Sequence, residues 1–255
     1  MTTPRPVTGL CRHTLESVSY RDRDVVGLLR TQEDFTRVMA SHILGRAVTE
    51  LEYRVINAAL VTVMEHGLTP SAIASRLVYM SAPENLQGAV SAGLLAVGSS
   101  FVGTMENCAR LIGRLLAQDS QLARDKEAAA IVSEHLEAGR RLPGFGHHLH
   151  RPDDPRAVEL LRLGQEWGVA GKHVAALRLL GDALDQARGA HVTINATGAI
   201  AALFGEVGIP LGVMRGFAVI SRAAGLVAHI AEEQSSPSAR YIWDLVDRSI
   251  PFEQT

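Results

Sequence analysis

The chain has 255 residues and a formal net charge of −2, with 47% hydrophobic side chains but only 5% aromatic ones. That length can bury a sizeable core as one large domain or two small ones, and the near-neutral charge argues against a nucleic-acid surface, which needs a basic stripe. Two cysteines, Cys11 and Cys108, make no disulfide framework and fit a reducing compartment.

Ala, Leu and Gly dominate, which favours closely packed helices over a sheet rich in β-branched and aromatic residues. The first strong helical pattern starts at Thr69, an N-cap, with Pro70 as first helical residue and Ile73, Leu77 and Met80 on one face. Ser81-Ala82-Pro83 breaks it, and a Gly/Ala-rich helix follows to about Val97. Thr104 is expected to cap a helix with Met105, Cys108, Leu111, Ile112 and Leu115 at i, i+3, i+4 spacing. Residues 126–138 form the next helix, closed by Gly139 before an Arg140-Arg141 pair. Helices at about 155–167 and 171–187 follow, and then 193–204 and 211–233. The stretches 88–105 and 211–231 are apolar but carry glycines, and the second carries Arg215, Arg222 and His229, so neither is expected to span a membrane. The N-terminus has Arg5 and Arg12 but no apolar secretory run. No alternating strand pattern reaches five residues, and there is no repeat or low-complexity linker. An all-α, cytoplasmic protein is expected, with no nucleic-acid or membrane partner; a sheet of three or more strands would sink the fold claim.

Residues 142–157, Leu-Pro-Gly-Phe-Gly-His-His-Leu-His-Arg-Pro-Asp-Asp-Pro-Arg-Ala, carry the most chemistry. Gly144 and Gly146 lack a Cβ and let the backbone approach a ligand. Asp154 is a good N-cap and Pro155 a good first helical residue, which puts Arg156 in the first turn. An imidazole donor, backbone amides, Arg151 and Arg156 together suit a polyanion that bears a carbonyl. A metal site built from His147, His148 and His150 is the alternative, but adjacent histidines do not easily face one ion and no matching ligand pair stands out elsewhere. Metal binding is therefore not expected. Further on, Arg215, Arg222 and His229 are seven apart and share a face of an otherwise apolar helix. Charge in such surroundings needs a partner, and a bidentate carboxylate suits a guanidinium.

The segment 142–157 resembles the Gly-aromatic-Gly-His…Asp-Pro-Arg signature of the citrate synthase family, and the resemblance extends over roughly residues 35 to 245. It implies a citrate synthase-like fold, with a large helical domain from residues 1–112 and 191–255 and a smaller helical domain inserted at 113–190. It implies that His147 polarises a keto acid oxygen, that His66, Arg156 and Arg222 hold substrate carboxylates, and that Leu142, Pro143, Gly144, Gly146 and Arg151 hold coenzyme A. In size the chain is similar to the compact citryl-CoA lyases. The implied function is making or breaking a carbon–carbon bond between an acyl-CoA (acetyl-CoA) and a keto acid (oxaloacetate), in a homodimer.

Three positions depart from the family pattern. Phe101 stands at the family's enolate-stabilising His, and Thr197 stands where Asn-Val-Asp supplies the carboxylate that moves the α-proton. Pro237 follows Ser236 rather than an Arg, although Arg240 is close by. The carboxylate-binding half of the site is kept and the enolisation half is changed. His148, His150 and Glu106 are the nearest candidates to replace the lost groups. A different acyl-CoA and keto acid pair, or a non-catalytic subunit that binds CoA or a dicarboxylate, are the alternatives.

Overall fold

The computed structural model describes residues 5–98 and 103–253, so Phe101 lies outside the described residues. The chain divides into two compact units, residues 1–57 and 58–255.

The first unit opens with three short strands, β1 (Cys11–His13), β2 (Val18–Tyr20) and β3 (Arg23–Asp24), in an antiparallel meander. The expectation of a chain without a sheet is corrected here. Strands of three, three and two residues are too short to display alternation, and β1 is fully exposed. Local turn chemistry holds them: Thr14 Oγ1 accepts from the backbone N–H groups of Glu16 and Ser17, and Arg21 turns with φ of 55°. Helix α1 (Val25–Arg30) is capped by Asp24, and α2 (Phe35–Leu44) by Asp34, whose carboxylate accepts from Thr36 N and Arg37 N. The chain passes into the second unit within α3 (Glu50–Val63).

Among the described residues, the regular elements of the second unit are all helices. These are α4 (Pro70–Ser81), α5 (Leu86–Leu95), α6 (Gly103–Leu116), α7 (Gln121–Glu137), α8 (Pro155–Glu166), α9 (Lys172–Arg188), α10 (Ala196–Glu206), α11 (Leu211–Ser235) and α12 (Ala239–Ser249). Most starts follow from a cap: Thr69, Ser120, Asp154 and Asn195 each accept an N–H of the first turn. Several boundaries differ from expectation, and α10 starts at Ala196 rather than at 193. Thr104 is inside α6 rather than its cap, and α7 begins at Gln121 behind the Ser120 cap, earlier than its apolar pattern suggests. The fold class stands as helical: a three-stranded sheet was too strict a criterion, because this one is a short meander of strands of three, three and two residues.

Helix α10 is the hub. It packs on α6, α8 and α9, and its residues from Gly198 to Phe204 are buried. Phe204 meets Phe217 of α11 edge to face, with ring centroids 5.7 Å apart; each such fully buried side chain contributes about 1.5–3 kcal/mol. Helix α11 lies against α4, α5 and α6. By length and composition alone it could cross a membrane, but its Arg222, His229 and Glu233 are buried and ion-paired within this unit.

Candidate active site

The turn at residues 142–146 is pressed onto the start of α10. Gly144 has φ of +89°, and a Cβ on it would sit 2.4 Å from Cys108 Sγ. A Cβ on Gly198 would sit 2.4 Å from the Gly144 carbonyl oxygen. Backbone bonds clamp the turn: Gly146 N donates to Thr193 O at 2.7 Å and Asn195 N to Gly144 O at 3.0 Å. Asn195 Nδ2 donates to Gly146 O at 3.0 Å. Gly144 is thus required for packing, whereas Gly146 has open space on its side-chain face.

This clamp delivers His147 in one tautomer. Its Nδ1 accepts from the N–H groups of Leu149 (3.1 Å) and His150 (3.0 Å). The remaining proton of a neutral ring is therefore on Nε2, which becomes a donor. Burial, reinforced by His150, His148 and Arg156 and opposed by Asp154, pushes the His147 pKa down to about 4. His66 is lowered too, by burial first and then by Arg156, His148, His150 and Arg222. The His66 ring meets that of His147 at 5.2 Å, while His148 and His150 stack on His147 at 4.6 and 4.3 Å.

His66, His147 and His148 bring ligand nitrogens within 4.8 Å of one another, a spacing that could suit a metal ion. The tautomer argues against that use: His147 Nδ1 is occupied and Nε2 carries the proton, so neither nitrogen offers a lone pair. Arg156 and Arg222 add positive charge beside the cluster. The arrangement is built to donate to an anion.

Asp154 organises the other side. It is fully buried, caps α8 through Arg156 N, and accepts from Ala196 N at 3.1 Å. Its two oxygens hold Arg156 through Nε (3.0 Å) and NH2 (2.9 Å). Burial pushes this carboxyl up, but Arg156 and the two backbone donors outweigh it, and its pKa ends below the ordinary range. The Arg156 tip is thereby placed 3.4 Å from His147 Nε2; both atoms are donors, so this is not a hydrogen bond between them but a shared approach to one acceptor.

Arg222 comes from α11, which can approach because residue 225 is Gly; a Cβ there would meet the Met64 carbonyl oxygen at 2.0 Å. The guanidinium is buried, and its NH1 has no hydrogen-bond partner among the described residues. Its nearest carboxylate is Glu65, 3.8 Å away. Glu65 is otherwise engaged, accepting from the N–H groups of His66 and Gly67 and pairing with His229 Nε2 at 3.0 Å. His66 Nε2 is likewise buried without a partner among the described residues.

One cavity of about 1370 Å³ gathers these groups. His66, His147, Arg156 and Arg222 line it, as do Leu142, Pro143, Gly144, Gly146 and Thr197. Arg151 is exposed and is not part of the lining. Glu106 is also outside it, tied to Arg110 at 2.5 Å and Arg215 at 3.0 Å. The lining adds groups that the sequence reading did not single out: His135, Arg110, Arg140 and Arg141. The Arg140-Arg141 doublet just before the Gly turn was their available signal. Among the described residues the lining holds five arginines and four histidines but no carboxylate.

A pH expectation follows for His147. Its folded pKa of about 4 is below the unfolded value of about 6.5. The unfolded chain therefore binds more protons in that window, so this contribution to stability is complete above about pH 6.5 and falls as pH drops towards 4. Imidazole nitrogen NMR should find His147 neutral, with the proton on Nε2, down to about pH 5. A midpoint at or above the ordinary histidine value would overturn the assignment.

A helical fold around a cavity whose described lining holds no carboxylate defines a site suited to a polyanion with a carbonyl or hydroxyl oxygen. The family model described as "Citrate synthase, C-terminal domain" matches residues 12–243, and the chain belongs to the citrate synthase family. Its structure is similar to that of citryl-CoA lyase from Hydrogenobacter thermophilus, with a TM-score of 0.83 and 30% identity, covering 98% of this chain and 94% of that one. ATP citrate lyase from Methanothrix soehngenii, solved in complex with citrate and coenzyme A, shares the fold at a TM-score of 0.77 and 20% identity, over 100% of this chain and 43% of that one. "Putative citrate synthase 2" of Mycobacterium tuberculosis is 27% identical over 196 residues, 73% of this chain and 50% of that protein. The chain spans about half the length of the curated citrate synthases it matches.

Proposed function

We propose that the protein cleaves or forms citryl-CoA, joining or separating the acetyl α-carbon of acetyl-CoA and the keto carbon of oxaloacetate. The observation that carries this reading is the convergence of polar groups. Buried Arg222 NH1 and His66 Nε2, without partners among the described residues, share one cavity with the Nε2–H of His147 and the oriented Arg156, and its described lining holds no carboxylate. Arg222, Arg156 and His66 would hold the carboxylates, and His147 would donate to the oxygen on the carbon being made or broken. A preorganised donor of this kind is worth roughly 3–4 kcal/mol of transition-state stabilisation. The turn at 142–146 would receive the coenzyme, with Arg151 and the cavity-lining Arg110, Arg140 and Arg141 facing its phosphates. The similarity to a citryl-CoA lyase over nearly the whole length of both chains supports the same reading.

The two-domain layout of the resemblance, with 113–190 as the small domain, belongs to the proposal, as do a cytoplasmic homodimer and a site without metal. The exposed Leu245, Val246 and Ile250 of the C-terminal segment support self-association. Thr197 in place of the family's Asp, together with Phe101, implies slow turnover. Thr197 Oγ1 donates to Asn195 Oδ1 at 2.7 Å and contacts Thr104 Oγ1 at 3.0 Å, and it has no basic group to offer.

The test is to incubate the protein with citryl-CoA and follow acetyl-CoA and oxaloacetate. Turnover is expected, on the order of a thousandfold below relatives bearing His and Asp. Thr197→Asp should raise it, because position 197 is in the first turn of α10, where a carboxylate is favoured. The same departure favours one second reading, a non-catalytic CoA or dicarboxylate-binding subunit. Binding of citryl-CoA with no turnover in either form would select it. Turnover of another acyl-CoA and keto acid pair alone would move the substrate assignment.

A further inference from the structure

Cleaving a β-hydroxy thioester between its carbinol carbon and its α-carbon has a net requirement of one proton. It leaves the hydroxyl oxygen and ends on the α-carbon. Those two atoms flank one carbon, at bond lengths of about 1.2–1.5 Å, so both fall within the roughly 2.6–3.2 Å reach of a single base.

Among the described residues that line the cavity no carboxylate is present to be that base. The Thr197 hydroxyl is engaged with Asn195 and Thr104. His147 has no free lone pair, since Nδ1 accepts two backbone N–H groups and Nε2 carries the proton. His66 is flanked by Arg156 and Arg222, a setting for an anionic group. His135 is held on α7 with Nδ1 on the Ile131 carbonyl oxygen at 2.8 Å, and it makes no ring contact with His147. His150 stacks on His147 but does not line the cavity. His148 alone meets both conditions: it lines the cavity and its ring stacks on His147, 4.6 Å between centroids at 28°. No hydrogen bond to its ring from the described residues fixes its tautomer, so it is free to accept and return a proton.

We propose that His148 is the catalytic base, shuttling one proton between the hydroxyl oxygen and the acyl α-carbon; this rests on the citryl-CoA reading above. In the cleavage direction the neutral His148 ring takes the hydroxyl proton and becomes imidazolium. The oxygen electrons form the new carbonyl, the carbon–carbon bond breaks, and its electron pair becomes the thioester enolate. Imidazolium then returns the same proton to the α-carbon. His147 keeps its Nε2–H and donates to the oxygen throughout. No oxidant, metal or second base is needed, and both histidines end as they began.

The experiment compares the full-length protein with His148→Gln and His148→Gly, using citryl-CoA. Because His148 is exposed, both variants should melt at the parent temperature. The expected result is a fall in kcat of about a hundredfold or more, with citryl-CoA affinity unchanged, and recovery of the His148→Gly variant on adding imidazole. Unchanged kcat overturns the proposal, and so does a loss of activity that tracks affinity or that imidazole does not rescue. Parent protein that binds citryl-CoA but never cleaves it overturns the underlying function and this proposal together. A parent that turns over while His148→Gln matches it overturns this proposal alone.

Discussion

Replacing Arg222 with methionine should weaken citryl-CoA binding about a hundred- to a thousandfold and leave the ligand-free protein at least as stable as the parent. The two effects have one cause. Burial pushes the Arg222 guanidinium pKa down, Glu65 opposes this only from 3.8 Å, and Arg156 adds repulsion. With NH1 lacking a hydrogen bond among the described residues, the free protein carries a charge it does not satisfy. A ligand carboxylate would satisfy it, and losing one partner of such a buried charged pair costs about 2–5 kcal/mol. Methionine fills similar volume without charge and removes the desolvation cost from the free state. Calorimetric titration with citryl-CoA and a thermal melt of the apo protein check both halves. A melting temperature that falls with no change in affinity would make Arg222 a structural ion-pair residue.

Arg76→Ala should have the largest effect on stability, about 3–5 kcal/mol, because it strands the buried His229 and Glu233 of α11 and frees Ser238 at the start of α12. Arg76 is 1% exposed and donates through NH1 to Glu233 at 2.7 Å and Ser238 Oγ at 3.1 Å, and through Nε to His229 Nδ1 at 3.0 Å, with Glu232 as a further partner. Glu233 in turn accepts from Ser238 N and Ala239 N, the start of α12. Since Nδ1 of His229 accepts from Arg76, its Nε2–H donates to Glu65, whose carboxylate also holds the His66 and Gly67 amides. One buried cation thus anchors α12 and, through His229 and Glu65, the turn that carries His66. For a chain of this length the melting temperature should drop by roughly 10 °C, and Arg76→Lys should recover part of it, since one ammonium cannot serve every acceptor. A change within about 1 kcal/mol would show that the network is not a determinant of stability.

What the sequence determined by itself was local. Thr69-Pro70 and Asp154-Pro155 start helices because the cap's side chain meets an N–H only two or three residues on, so neighbours in sequence decide the outcome. The Gly-Phe-Gly-His…Asp-Pro-Arg segment was legible for the same reason, and so were His147, Arg156 and the α11 positions Arg222 and His229. The short strands at 11–24 and the helices α1, α2, α3 and α12 were not marked. The strands and α1 are too brief to show a period, whereas Asp24 and Asp34 were readable as caps and α3 and α12 carry apolar faces that were legible but were not picked out.

Only the tertiary structure decided what those residues do to one another. Arg215 shares its helix stripe with Arg222 and His229 yet pairs with Glu106, while the other two turn to Glu65. Spacing fixes the face a residue occupies but not the neighbour packed against it. Within the histidine run read as a possible ligand set, His147 became a donor once the backbone N–H groups of 149 and 150 took up its Nδ1. Exclusion of every carboxylate from the described lining of the cavity, in a chain with 27 acidic residues, depends on where each acid's arginine or amide partner lies. Those partners are often more than a hundred residues away, as Glu65 is from His229 and Arg76 from Glu233. Long-range pairing of buried charge is set by packing, and it leaves no period in the sequence.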